Sequence, residues 1–137
     1  MLRKNAKTEL LKGVPLFGRC SKRELAEIAS LADELDMPQG RELTHQGARG
    51  REFVVLVEGT ADVKRNGRRI NSLREGDFLG EIALVTGAPR TATVTTTAPS
   101  RLLVISAAAF RQLMRDVPSI QLKVLEALAE RVPDAYS

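Results

Sequence analysis

The sequence predicts a mainly β fold with flanking helices: an antiparallel β sandwich or jelly roll between N-terminal helices and two C-terminal helices. Three observations predict it. Between Leu35 and Ser106 apolar residues recur with a period of two, and Gly40, Gly47, Gly59, Gly67, Gly76, Gly80 and Gly87 punctuate the segment at short intervals. Asn66-Gly67 separates Ala61–Arg65 from Arg68–Leu73, the pair of residues that best tolerates the positive φ angles of a two-residue hairpin turn. On either side the period becomes helical, and no long helix interrupts the strands. At 137 residues the whole chain, 1–137, reads as a single domain: helices over 1–34, a β sandwich or jelly roll over 35–106, and two closing helices over 107–137.

The elements follow in order. A first helix covers roughly Lys4 to Lys12 and is closed by Gly13 and Pro15. Ser21 with Glu24 forms a capping box, and Leu25, Ile28, Ala29 and Leu31 then repeat at helical spacing. Phe53–Val57 and Arg101–Ile105 are short apolar strands, and Thr91–Thr97 reads as another. Ile82–Val85, directly after Gly80-Glu81, reads as a short helical turn starting near Glu81. Phe110, Leu113 and Met114 share one face of a short helix. Pro118 starts a second, on which Ile120, Leu122, Val124, Leu125, Leu128 and Val132 cover much of the circumference. That width predicts packing against the β core or another helix. Pro133 limits its extent.

Composition excludes several kinds of chemistry. With 43% hydrophobic and 28% charged residues the chain is ordinary globular material. One Cys leaves no internal disulfide and no cysteine-held metal or iron–sulfur centre, and one His leaves no multi-histidine metal site. Twenty-one basic against 17 acidic residues give a net charge of +4, a mild bias toward an anionic partner. Met1–Lys7 is basic but no long apolar run follows, so neither a signal peptide nor a membrane span is expected and the protein reads as cytoplasmic.

The segment from Gly76 to Val94 carries the chemistry. Gly80 permits close backbone approach to a ligand. A helical turn beginning at Glu81 would turn free N–H groups toward a phosphate. Arg90, at the mouth of the next strand, supplies a planar two-pronged donor for the same anion. Glu81, an acceptor when ionised, suits a hydroxyl beside that anion. Together they describe a pocket for one phosphate and an adjacent sugar hydroxyl.

The segment resembles the phosphate-binding cassette of the cyclic nucleotide-binding domain, shared by the bacterial cAMP receptor family, protein kinase A regulatory subunits and cyclic-nucleotide-gated channels. The matching residues are Gly80-Glu81-Ile82-Ala83-Leu84 and Pro89-Arg90-Thr91-Ala92-Thr93-Val94. The similarity also takes in Pro15-Leu16-Phe17, the Gln46-Gly47 loop, Val57-Glu58-Gly59, Arg74-Glu75-Gly76-Asp77 and the closing helices. By that resemblance Arg90 pairs with the exocyclic phosphate oxygens, helped by amides near Ala83 and Thr91. Glu81 takes the ribose 2′-hydroxyl, Gly80 and Ile82 line the sugar, and Leu79 and Val63 are further pocket walls. The last helix folds over the base as a lid with Val132 facing it, and its movement, hinged through Phe110, Leu113 and Met114, is the output. The ligand implied is cAMP, as the bacterial-looking pattern suggests, with cGMP as the alternative because the Thr91 hydroxyl can reach the phosphate or a guanine.

Each of these residues also has a plainer reading. Arg90 and Glu81 could form a structural ion pair, and Thr91 could be only a strand residue. Tyr136 lies where the family often places a base contact, but Pro133 just before it favours a tail. Lys64, Arg65, Arg68 and Arg69 gather at the Asn66-Gly67 turn and read as a solvated hairpin tip. His45 reads as surface polar and Cys20 as a small residue near a helix start. The resulting expectation is a cAMP sensor with no catalytic activity, no metal and no cofactor other than its ligand. The alternative is a protein-interaction or oligomerisation module that keeps the cassette. A homodimer or an effector protein at the C-terminal helix is the expected macromolecular partner. Since the sequence stops at Ser137 without a helix-turn-helix, direct DNA binding is not expected.

Overall fold

The period-two runs become eight strands: β1 (Asp33–Met37), β2 (Glu42–Thr44), β3 (Glu52–Glu58), β4 (Ala61–Arg65), β5 (Arg68–Leu73), β6 (Phe78–Leu79), β7 (Thr93–Thr96) and β8 (Ser100–Ser106). They form the two four-stranded antiparallel sheets of a jelly roll, in the orders β1-β8-β3-β6 and β2-β7-β4-β5. The structure, a computed structural model, describes residues 3–130. Val132, Pro133 and Tyr136 lie outside the described residues. By internal contacts the chain divides into a β unit, Ala32–Ala107, and a helical unit made of the segments before and after it.

In the β unit, β3 and β8 are the central strands of their sheet and pair over most of their length, from Glu52 opposite Ser106 to Leu56 opposite Leu102. Val54, Leu56, Leu102 and Val104 are buried together, with Met37, Leu43, Leu73 and Leu79 packed against them. Each such side chain contributes about 1.5–3 kcal/mol by leaving water. The β4–β5 hairpin turns where its sequence predicts, with Asn66 at φ 53° and Gly67 at φ 78°.

Two boundaries differ from the sequence reading. The N-terminal helical zone stops well before residue 34: helix α2 spans Lys22–Ala29, and β1 begins at Asp33. Asp33–Met37 pairs with Ser100–Val104, but Leu35 is exposed and only Glu34 and Met37 are half-buried, so β1 has no apolar alternation to read. The strand expected over Thr91–Thr97 contracts to Thr93–Thr96, because the main chain of Arg90 is drawn into the loop that precedes β3.

The helical unit contains α1 (Lys4–Lys12), a single 3₁₀ turn at Pro15–Phe17, α2, and the closing helices α4 (Ala107–Asp116) and α5 (Pro118–Glu130); the remaining helix, α3 (Glu81–Thr86), belongs to the β unit. Phe17 and Phe110 are fully buried, with ring centroids 5.5 Å apart. The capping box forms: Glu24 N–H donates to Ser21 Oγ at 3.2 Å, and Ser21 N–H to Glu24 Oε1 at 2.8 Å. The same carboxylate also accepts from Ser119 Oγ at 2.7 Å and from Lys123 Nζ, both on α5. Burial alone would raise the Glu24 pKa, but the bonds from Lys123, Ser21 and Ser119 outweigh it and hold it down at about 2. On α5 the buried stripe is Ile120, Val124 and Ala127, while Leu122 and Leu125 are exposed, so the wide apolar face is only partly covered. No described helix is long and apolar enough to cross a membrane.

Candidate functional site

The β unit encloses a cavity of about 380 Å³, within the range of small-molecule sites. Its walls are apolar and come from several elements: Val63 on β4, Leu73 on β5, Phe78 and Leu79 on β6, and Val94 on β7. Thr44 on β2 also lines it, and the loop and helix between β6 and β7 supply Gly80–Ala83 and Ala88–Ala92. Of the expected site residues, Val63, Leu79, Gly80, Glu81, Ile82, Ala83, Arg90 and Thr91 are thus brought around one cavity, whereas Val132 and Tyr136 fall outside the described residues. Among the residues that line it, Glu81 and Arg90 are the ionisable ones.

Local structure follows from Gly80. Its φ of 83° lets β6 break directly into α3, with Leu84 N–H donating to Gly80 O at 2.9 Å. The first N–H groups of so short a helix have no intrahelical acceptors. Glu81, the first helical residue, is 5% exposed, and Ile82 beside it, also at the cavity, is 42% exposed.

Arg90 is half-buried, and its guanidinium occupies a cradle. Nη2 donates to the main-chain carbonyl of Glu52. A Cβ on Gly80 would lie 2.1 Å from Arg90 Nη1, and a Cβ on Gly50 would lie 3.2 Å from its Nε and 2.5 Å from Ala83 Cβ. Both positions therefore need glycine for space. The Arg90 main chain is held on both sides, its N–H donating to Ala48 O at 2.7 Å and its carbonyl accepting from Gly47 N–H at 2.8 Å. Burial lowers the guanidinium's pKa, with the Glu52 charge opposing. A cation held in this way gains from an added anion.

Thr91 is exposed at the rim, and its carbonyl accepts from Arg65 Nε at 3.1 Å. Gln46 and Asn66 are joined by a pair of hydrogen bonds. The hairpin tip is therefore tied to the cassette and is more than a solvated turn. Of its other cations, Arg69 lies 3.8 Å from Asp62. His45 is exposed beside Glu42 at 2.9 Å. The half-buried Cys20 thiol is pushed up to about 11 by burial and by the Glu24 charge, with Lys123 opposing. Among the described residues no group of His, Cys, Asp or Glu is placed to hold a metal ion.

The sequence reading missed Gly50, Glu52 and Thr44. Thr44 is buried at the cavity and donates through Oγ1 to Ala92 O at 3.1 Å. Glu52 serves through its carbonyl, for which no side-chain pattern exists. Chemically the site offers a planar guanidinium with several donors and one buried carboxylate at the wall of a largely apolar cavity.

Known proteins resemble this chain over most of its described length. A family model described as the cyclic nucleotide-binding domain matches residues 34–117. A cAMP-dependent protein kinase regulatory subunit of Mycosarcoma maydis is 37% identical, over 82% of this chain and 23% of that protein. This chain spans about a quarter of the length of the curated relatives it matches. Among solved structures, the N-terminal domain of a transcriptional regulator from Streptomyces coelicolor superposes with a TM-score of 0.83 at 26% identity, covering 93% of this chain and 94% of that one. A cyclic nucleotide-binding domain from Methylobacillus flagellatus superposes with a TM-score of 0.76 at 25% identity, covering 97% and 80%.

Proposed function

The chain belongs to the cyclic nucleotide-binding domain family, and from that premise we propose that it is a sensor module that binds cAMP, without catalysis, and relays occupancy through its C-terminal helices. The observation that carries the reading is the Arg90 guanidinium, half-buried in a glycine cradle at the wall of a cavity whose other ionisable group is Glu81. Arg90 would donate in pairs to the exocyclic oxygens of the cyclic phosphate, while the carbonyl of Glu52 holds the fork in place. The first N–H groups of α3 would complete the anion site, and the Glu81 carboxylate would accept the ribose 2′-hydroxyl. Val63, Leu73 and Leu79 would exclude water from these bonds and so strengthen them. The resemblance to regulatory subunits named as cAMP-dependent supports the choice of cAMP as the ligand of this chain. Occupancy would reach the rest of the protein through α4 and α5, with Phe110, Leu113 and Met114 as the hinge, and a homodimer or effector would read it there. The cyclic nucleotide is ligand, and the site calls for no resident cofactor.

Calorimetric titration with cAMP and cGMP side by side tests the reading. Saturating nucleotide at 100 times its Kd should stabilise the fold by about 2.7 kcal/mol. Arg90→Ala should cost about 2–3 kcal/mol of binding and Thr91→Ala about 1 kcal/mol. Glu81→Ala should weaken cAMP more than 2′-deoxy-cAMP. No thermal shift with millimolar cAMP or cGMP would sink the proposal and favour an interaction module that keeps only the cassette.

A further inference from the structure

We propose that the tip of the β4–β5 hairpin is a brace for Arg90: Gln46, Arg65 and Asn66 are positioning residues that set nucleotide affinity without touching the nucleotide. The inference rests on the proposed function, because Arg90 needs positioning only if it meets a phosphate.

The brace can be followed bond by bond. Asn66 holds a left-handed conformation at the turn, with φ 53°. Its N–H donates to Gln46 Oε1 at 2.8 Å, and its Oδ1 accepts from Gln46 Nε2 at 2.9 Å. This paired clip fixes Gln46, whose own N–H donates to Thr93 Oγ1 at 3.0 Å. The next two residues, Gly47 and Ala48, grip the main chain of Arg90 from both sides. From the end of β4, directly before Asn66, Arg65 Nε reaches the Thr91 carbonyl. Residues 90, 91 and 93 are thus all held from loop 46–48 and the hairpin tip, and the loop is in turn held by the tip.

Chemistry explains why such an arrangement matters at Arg90 in particular. A bidentate guanidinium–phosphate pair is directional, so its strength depends on the plane of the fork. Arginine is long, and a small rotation of its main chain sweeps the head through a large arc. The Glu52 carbonyl restrains the head, and the brace restrains the stem. The Gln46–Asn66 and Arg65–Thr91 bonds of the brace are solvent-exposed and add little to global stability. Its effect falls on geometry.

The same hairpin supplies the control. Arg69 carries the same charge as Arg65 but lies beside Asp62. If the tip acted only as a positive field drawing in an anion, Arg65→Ala and Arg69→Ala would weaken binding equally. If it acts as a brace, only Arg65→Ala does so.

The experiment uses the full chain and cAMP as the probe. Titrations of Gln46→Ala and Arg65→Ala should raise Kd roughly three- to tenfold, the worth of one or two such bonds. Arg69→Ala should stay within about twofold of the native value. Gln46→Glu should recover most of the affinity, because it keeps the acceptor for Asn66 N–H and the Asn66 amide can turn to donate. Melting temperatures without ligand should be nearly unchanged. Hydrogen exchange without nucleotide gives a second readout: the Arg90 and Gly47 amides should lose protection in Gln46→Ala. Equal losses in Arg65→Ala and Arg69→Ala, unchanged affinity in Gln46→Ala, or unchanged protection of those amides would each overturn the brace. If the native chain binds no cyclic nucleotide, the proposed function falls and the brace falls with it. If the native chain binds and the variants match it, the brace alone falls.

Discussion

Gly50→Ala should damage the site from beneath. Gly50 is not among the residues with positive φ, so alanine meets no backbone strain there and the cost is purely one of space. Its Cβ would lie 2.5 Å from Ala83 Cβ, 3.1 Å from Ala88 O and 3.2 Å from Arg90 Nε. Carbon pairs settle at about 3.5–4.0 Å, so Ala83 and Gly50 must part by roughly 1 Å. Overpacking of this kind costs about 1–3 kcal/mol, and alanine returns about 0.4–1 kcal/mol by restricting the unfolded chain. A net loss of about 1–2 kcal/mol lowers the melting temperature by about 3–8 °C in a chain of this size. The displaced guanidinium should weaken cAMP binding roughly tenfold, about half of what Arg90 contributes. Differential scanning calorimetry and nucleotide titration of Gly50→Ala, Ala83→Gly and the double variant form a cycle. The double variant should regain affinity that Gly50→Ala lost, because the shortest contact is gone. An unchanged melting temperature and Kd in Gly50→Ala, or strict additivity across the cycle, would refute the cradle.

Two further outcomes concern the helical unit. Glu24 sits at about 2 in the folded chain against an ordinary 4.5, so its contribution is complete above about pH 4.5 and fades as pH falls toward 2. Urea titrations between pH 7 and pH 3 should show the native chain losing roughly 2–3 kcal/mol more than Glu24→Gln does, and parallel losses would remove Glu24 from that role. The Cys20 thiol, held at about 11 against an ordinary 9.0, should react with iodoacetamide at pH 8 about a hundredfold more slowly than an unperturbed thiol. A native rate equal to that in denaturant would contradict its burial.

What the sequence made legible was whatever depends on a few neighbouring residues. The capping box at Ser21 and Glu24 and the hairpin at Asn66-Gly67 are local rules, and both appear where the pattern places them. Glu81 and Arg90 were visible because an isolated carboxylate and an isolated cation stand out in an apolar, glycine-bounded segment. Gly50 was not visible, because its φ is ordinary and its need for space is created by Ala83 and Arg90, far along the chain. Likewise Glu24 showed only its capping role, and its bond to Lys123 spans 99 positions. Strand β1 was misplaced because its pairing with β8 comes from backbone hydrogen bonds, while its own side chains are mostly exposed.

Helix α3 has six residues. A helix that short cannot hold itself together, since its nucleation cost exceeds what so few hydrogen bonds return. Its order is lent by the walls around it, chiefly the buried Glu81, Ala83 and Leu84. The segment from Gly80 to Arg90 is then a local unit whose opening needs less free energy than unfolding of the sheets. A cyclic nucleotide held by both ends of that segment would leave only when the segment opens. Residence time would be governed by the packing beneath α3, and substitutions at Ala83 or Leu84 would shorten it even where every ligand contact is kept.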